Sequence, residues 1–227
     1  MMVVLSAFGQ GKRVFERRDD LKDFSAKTIK VVLEGNQSLD DLMMTNVMKN
    51  NWYISPYEFC SKSDFEKMKS DTNYFFLLKV DGQFSKEKDP AMEFLTIVKG
   101  DEDADKGIDH MPEVISLPYR SLNDKSGDSY GYLAPFVNIL QSHIIKVQRN
   151  KHSAYVGLSA YSDGMDSAGD MDILFEKDDF TFDVTHEMLI EDFKGKARFV
   201  SKDEIHDNLA KRTPNTLVSI VIAPNVS

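Results

Sequence analysis

A chain of 227 residues with 41% hydrophobic content can bury a core as one large domain or two small ones. Its formal net charge is −9 and its pI about 5.1, so its overall field repels phosphate backbones and anionic lipid surfaces. Nucleic-acid binding and peripheral membrane attachment are not expected, and no stretch nears the roughly 18 apolar residues of a membrane span.

Residues 1–26 read as the remnant of an export signal followed by a leader. Ala7 and Gly9 stand at −3 and −1 of a cut before Gln10, behind the apolar Met1-Met2-Val3-Val4-Leu5. The expected location is therefore periplasmic or extracellular; the competing reading is a cytoplasmic protein whose N-terminus forms a strand. Cys60 is the single cysteine, so it cannot make an internal disulfide and does not decide the redox compartment.

From 27 onward the chain reads as a single α/β domain. An apolar run at 28–33 predicts a strand, and Leu39, Leu42, Met43 and Val47 keep helical spacing over 38–50. The segment 53–59 is extended, with Pro56 marking it as an edge or irregular strand. A capped helix at 62–70 leads to a strand at 73–80. Two further strands are expected at 92–98 and 114–119, with an acidic loop between them. After the Gly127–Gly131 break a long helix follows, with Pro135 near its first turn and Phe136, Ile139, Leu140, Ile144 and Val147 on one stripe. A short strand at 154–160 and a Gly- and Asp-rich loop at 162–170 lead into the last third.

That last third repeats the first. Phe59-Cys60-Ser61-Lys62-Ser63-Asp64-Phe65 leads into Tyr74-Phe75-Phe76-Leu77-Leu78, as Phe199-Val200-Ser201-Lys202-Asp203-Glu204-Ile205 leads into Leu217-Val218-Ser219-Ile220-Val221-Ile222. Ser61 and Ser201 are N-caps, Asp64 and Glu204 close capping boxes, and the pairs Cys60/Phe65 and Val200/Ile205 hold staple positions. Each half thus reads βαβαβ, at 27–81 and 171–227, with 82–170 as an insertion of a hairpin and a helix. Duplication and convergent capping chemistry both account for the match. Either predicts a three-layer α/β sandwich around a mainly parallel central sheet.

Chemistry-bearing motifs are few. Asp101, Asp103 and Asp105 start like a calcium loop, with hard oxygen ligands at positions 1, 3 and 5. Gly107 falls at position 7 rather than 6 and Pro112 at the closing position, so a solvated acidic loop is the favoured reading and no cofactor is expected. Asp163, Asp166, Asp170 and Asp172 match no metal spacing and fit turn chemistry. His186-Glu187 opens like a zinc-protease helix, but Ile190 replaces the second histidine. His143 lies on the long helix's apolar stripe, as a core histidine with a partner would. Cys60 at a helix start could carry a stabilised thiolate. The alternative to a binding role is accordingly a hydrolase built on Cys60, His186 or His206. No catalytic residue is assigned, and Glu34-Gly35-Asn36-Gln37 lacks the glycines of a phosphate loop.

The tail-like Ala7-Phe8-Gly9-Gln10, Asn51-Trp52-Tyr53 and the passage 65–78 resemble uncharacterised exported α/β proteins of Gram-negative bacteria. More distantly, the βαβαβ order resembles envelope-associated α/β domains of secretion and Tol-type systems. That resemblance implies a partner-binding rather than a substrate-transforming role, and it assigns no residue a task. The expectation is an exported, non-catalytic binding module for an unknown protein or small molecule. The acidic loops 101–110 and 162–172, or a crevice between the halves, would be its contact surface.

Overall fold

Strand runs and serine caps of the first third fold in the order their pattern predicts. The computed structural model describes residues 3–4, 21–35, 38–83, 91–149, 170–180, 184–193 and 196–222. Two compact units divide the chain: Met1–Tyr155 with Ile222–Ser227, and Val156–Val221.

In the first unit, β1 (Val3–Val4), β2 (Ile29–Leu33), β3 (Tyr57–Ser61), β4 (Phe75–Gln83), β5 (Met92–Lys99) and β6 (Glu113–Ser121) form one sheet. The order is β3-β2-β4-β5-β6, with β1 also pairing β4. Strands β1 to β4 pair in parallel, whereas β4-β5 and β5-β6 are antiparallel. The helices are α1 (Leu39–Asn51), α2 (Lys62–Met68) and α3 (Ser129–Arg149). Ser38 caps α1 and Ser61 caps α2, each accepting the N–H of the acid three residues on.

Strand alternation sorts the core into two layers. Phe65 of α2 meets Phe76 edge-on at 5.0 Å, within a cluster holding Leu78, Val80, Val98, Ala104 and Met111. The opposite face carries Phe75, which stacks on Phe24 at 4.5 Å, and Tyr119, which meets Phe136 of α3 at 6.1 Å. Between the two helices on that face, buried Gln141 donates to the Asn51 carbonyl at 2.8 Å and accepts the Tyr53 N–H at 2.9 Å. One α3 side chain thus satisfies two backbone groups at the end of α1.

In the second unit, β7 (Asp172–Glu176), β8 (Ala197–Val200) and β9 (Thr216–Val218) make an all-parallel sheet in the order β8-β7-β9. Helix α4 (His186–Asp192) buries Leu189 against Ile173 and Ala197, ringed by Phe175, Phe180, Phe193, Phe199 and Leu217. Helix α5 (Lys202–Lys211) packs on β7 and β9 with Ile205 buried.

The two βαβαβ segments share both strand order and register. Ile29 pairs with Tyr57 and Phe75; Ile173 pairs with Ala197 and Leu217. Their capping boxes differ. Asp64 accepts the Ser61 hydroxyl at 2.7 Å, whereas the Glu204 carboxylate turns instead to Arg198, also at 2.7 Å.

The structure departs from expectation in three places. The sequence predicts one mainly parallel central sheet; the described strands form two sheets, and the larger is mixed. The interval from Gln83 to Met92 is shorter than the dozen or more residues a parallel crossover needs, so β5 returns antiparallel along β4. Pro135 lies inside α3 rather than near its first turn, because the helix starts at Ser129. The strand expected through Ile222 pairs only over Thr216–Val218. The export signature, apart from Val3–Val4, the strand at 154–160, and Asp163 and Asp166 lie outside the described residues.

Candidate functional site

Charged residues intrude on the apolar strand faces at one end of the first sheet. Lys79 lies two residues beyond Leu77, where the pairing of β4 with β2 stops, and shares the inward phase of Phe75 and Leu77. Glu93 has the phase of Leu95 and Ile97 and sits opposite Arg120 on β6. Asp40 reaches the same place from the first turn of α1, where the helix dipole favours a carboxylate. Beside it Asp41 accepts the N–H groups of Glu34 and Gly35 at 2.9 and 3.0 Å, tying the turn after β2 to the helix start.

The four charges form one network. Arg120 grips Asp40 with two bonds, Nη1 to Oδ1 at 3.0 Å and Nη2 to Oδ2 at 2.7 Å, and its Nε lies 3.0 Å from Glu93 Oε1. Lys79 Nζ adds a contact to Asp40 Oδ2 at 3.0 Å, and Tyr130, at the start of α3, also hydrogen-bonds Asp40. Two cations against two carboxylates leave no net charge.

The carboxylates respond oppositely. Burial alone would raise Asp40, but hydrogen bonds from Arg120, Tyr130 and Lys79 hold it well below the usual carboxylate range. Glu93 is pushed up because burial outweighs the fields of Lys79 and Arg120. Burial would lower Arg120, but its two carboxylate partners hold it above its ordinary value.

Glu93 Oε1 makes no aligned hydrogen bond to the described residues, and the Tyr119 and Ser129 hydroxyls have only each other, in poor alignment. Glu93 Oε1 is close to Arg120 Nε but out of line for a hydrogen bond, while Glu93 Oε2 accepts from Arg120 Nη2 at 3.4 Å. Tyr119 and Ser129 are 1% and 3% exposed. Burial pushes the Tyr119 phenol up strongly, offset in part by the neighbouring Ser129 hydroxyl and by Arg120, whose guanidinium carbon stands 5.5 Å from the Tyr119 ring centre. Poorly satisfied buried polar atoms are rare in folded proteins, and here Glu93 Oε1 shares one neighbourhood with the Tyr119–Ser129 hydroxyl pair.

The residues singled out by sequence are placed elsewhere. Asp101 accepts the Asp103 N–H at 2.8 Å, Asp103 pairs with Lys106 at 2.7 Å, and Asp105 lies 3.4 Å from Lys69. Each of these three carboxylates thus has a local partner, and among the described residues no group of three or more His, Cys, Asp or Glu side chains is placed to hold a metal ion. Cys60 is half-buried on β3 in the first unit, where burial pushes its thiol up. His186 is exposed at the start of α4 and His206 is half-buried on α5, both in the second unit. His143 is half-buried on α3 and hydrogen-bonds the Val114 backbone, with burial lowering its pKa.

No protein-family model matches this chain, and neither the curated proteins nor the solved structures give a match. Among the described residues, no helix is long and apolar enough to cross a membrane.

Proposed function

We propose that this protein is a non-catalytic binding module, and that its first unit receives a small, polar, net-neutral ligand at the cluster of Asp40, Lys79, Glu93, Arg120, Tyr119 and Ser129. The observation that carries this reading is the gathering of Glu93 Oε1 and the Tyr119 and Ser129 hydroxyls, buried polar atoms with no well-aligned partner beyond one another, around a charge-balanced network. The place also fits. The cluster starts at the helix that follows the carboxyl end of β2 and runs across β4, β5 and β6, beside the β2–β4 junction where the winding of the sheet reverses and open α/β sheets take ligands.

Neutrality follows from the charges. An anion or cation entering here would add an uncompensated charge to a network that already sums to zero, at a cost of several kcal/mol. A zwitterion or polyol can instead meet the hydroxyls and the carboxylate oxygen with hydrogen bonds alone. A binding role also fits the Cys60 thiol, which burial holds in the protonated, weakly nucleophilic form at neutral pH.

The test is thermal melting of the full chain with glycine, serine, glycerol, acetate and phosphate, for wild type, Tyr119→Phe and Ser129→Ala. The reading expects a neutral compound to raise the wild-type midpoint, and expects that rise to vanish in both variants. A purely structural cluster gives the same rise in all three, since osmolytes and phosphate stabilise any folded chain by exclusion from its surface.

A further inference from the structure

Beside the charge cluster the pairing of β5 with β6 slips by one residue. Glu93 stands opposite Arg120 but Phe94 stands opposite Pro118, so Tyr119 is the extra residue of a β-bulge. In a regular strand Tyr119 and Arg120 would point to opposite faces. The bulge turns both toward the helices, where Tyr119 meets Phe136 of α3 and Arg120 grips Asp40 of α1. An interruption of the ladder thus crowds one face with polar groups.

On that face Lys79 and Glu93 are diagonal neighbours, because Lys79 pairs with Leu95 and Asp81 pairs with Glu93. The charge of Lys79 reaches Glu93, yet the two side chains form no ion pair with each other. Both are largely buried, at 11% and 12% exposed, and both keep hydrogen-bonding capacity. An ammonium carries three N–H donors, and that of Lys79 contacts only Asp40 among the described residues. On Glu93, Oε2 accepts from Arg120 whereas Oε1 has no aligned donor. The Tyr119 phenol feels the Glu93 charge and has the Ser129 hydroxyl beside it, so Glu93 Oε1, Tyr119 Oη and Ser129 Oγ gather as acceptors at the negative pole.

Resting on the binding role proposed above, we infer that the ligand is a small α-amino acid zwitterion, its ammonium held by Glu93 Oε1 and the Tyr119 and Ser129 hydroxyls, its carboxylate by Lys79. A primary ammonium offers three N–H donors to those three acceptors, whereas each hydroxyl of a polyol offers one. Bridging the two poles joins an ammonium and a carboxylate that the fold keeps apart, and it leaves the summed charge of the cluster unchanged. An amine alone or a carboxylate alone satisfies one pole and adds a net charge.

Equilibrium dialysis of the full chain with radiolabelled glycine, methylamine, acetate or glycerol, each from about 10 μM to 10 mM, counts bound ligand directly. Glycine is expected to be retained saturably and at least about tenfold more tightly than methylamine, acetate or glycerol, because its two charge-assisted contacts act together. Lys79→Met should weaken glycine at least about tenfold and remove its advantage over methylamine; Glu93→Gln should remove its advantage over acetate. Trp52 fluorescence checks that each variant folds, and if one does not, the wild-type series decides alone. Retention of glycerol without glycine, or of methylamine or acetate as tightly as glycine, overturns the zwitterion and leaves the binding role standing. Retention of none of the four overturns both.

Discussion

Replacing Arg120 with methionine removes the hub of the charge network while keeping most of the side-chain bulk. The wild-type arginine holds Asp40 by two bonds and Glu93 at 3.0 Å, and its loss leaves Asp40 with Lys79 and Tyr130, and Glu93 with the field of Lys79 alone. Breaking a fully buried pair by removing one partner costs about 3–5 kcal/mol. The side chains here are 18% (Arg120), 19% (Asp40) and 12% (Glu93) exposed, so partial screening reduces the expected loss to about 2–4 kcal/mol. Trp52, the only tryptophan, is buried in the first unit with its Nε1 donating to Ser55, so urea titration followed by Trp52 fluorescence reads that unit. The expected result is a lower midpoint at unchanged slope. A midpoint within experimental error of wild type would falsify the claim that the network stabilises this end of the sheet.

The two carboxylates give a signed test. Asp40 is depressed, so its contribution is present above its unfolded pKa of about 4 and is lost only as pH falls well below that value. Glu93 is raised, so what it contributes is present below its unfolded pKa of about 4 and fades as pH rises through its elevated folded value. At pH 7 Asp40→Asn should therefore destabilise more than Glu93→Gln; denaturant midpoints in the reverse order would contradict the assignment. Gln141→Ala strands the Asn51 carbonyl and the Tyr53 N–H and should cost about 2–3 kcal/mol by the same fluorescence assay. A Cβ at Gly100 would stand 2.0 Å from the Asp71 carbonyl oxygen, so Gly100→Ala should destabilise the unit by about 1–3 kcal/mol, read as a lower Trp52 midpoint, and a neutral result would argue against that close approach.

Local signals in the sequence carried further than long-range ones. Ser61 and Ser201 cap their helices as their spacing predicts, because capping is decided within four residues, and Ser38 caps a third. Pro56 correctly marks its neighbourhood as a sheet edge, with β3 the outermost strand. The grouping of strands into two sheets was not legible, since apolar runs such as 92–99 do not say which neighbour they pair with. The charge network was missed for a similar reason: Asp40 and Arg120 lie 80 positions apart and neither belongs to a motif. A faint signal was present. Glu93 and Lys79 interrupt otherwise apolar strand phases, each two residues from a fully buried leucine. Asp101, Asp103 and Asp105 have the opening spacing of a calcium loop, but their carboxylates are occupied by a local N–H, Lys106 and Lys69.

The Tyr119 hydroxyl separates binding from scaffolding most directly. In amide proton–nitrogen spectra of the full chain titrated with glycine, serine and glycerol, the account predicts saturable shifts confined to residues around 40, 79, 93, 119–120 and 129–130. Those shifts should be lost in a Tyr119→Phe variant that melts no lower than wild type. Spectra that stay unchanged with every neutral compound, or shifts that persist without the hydroxyl, would contradict it.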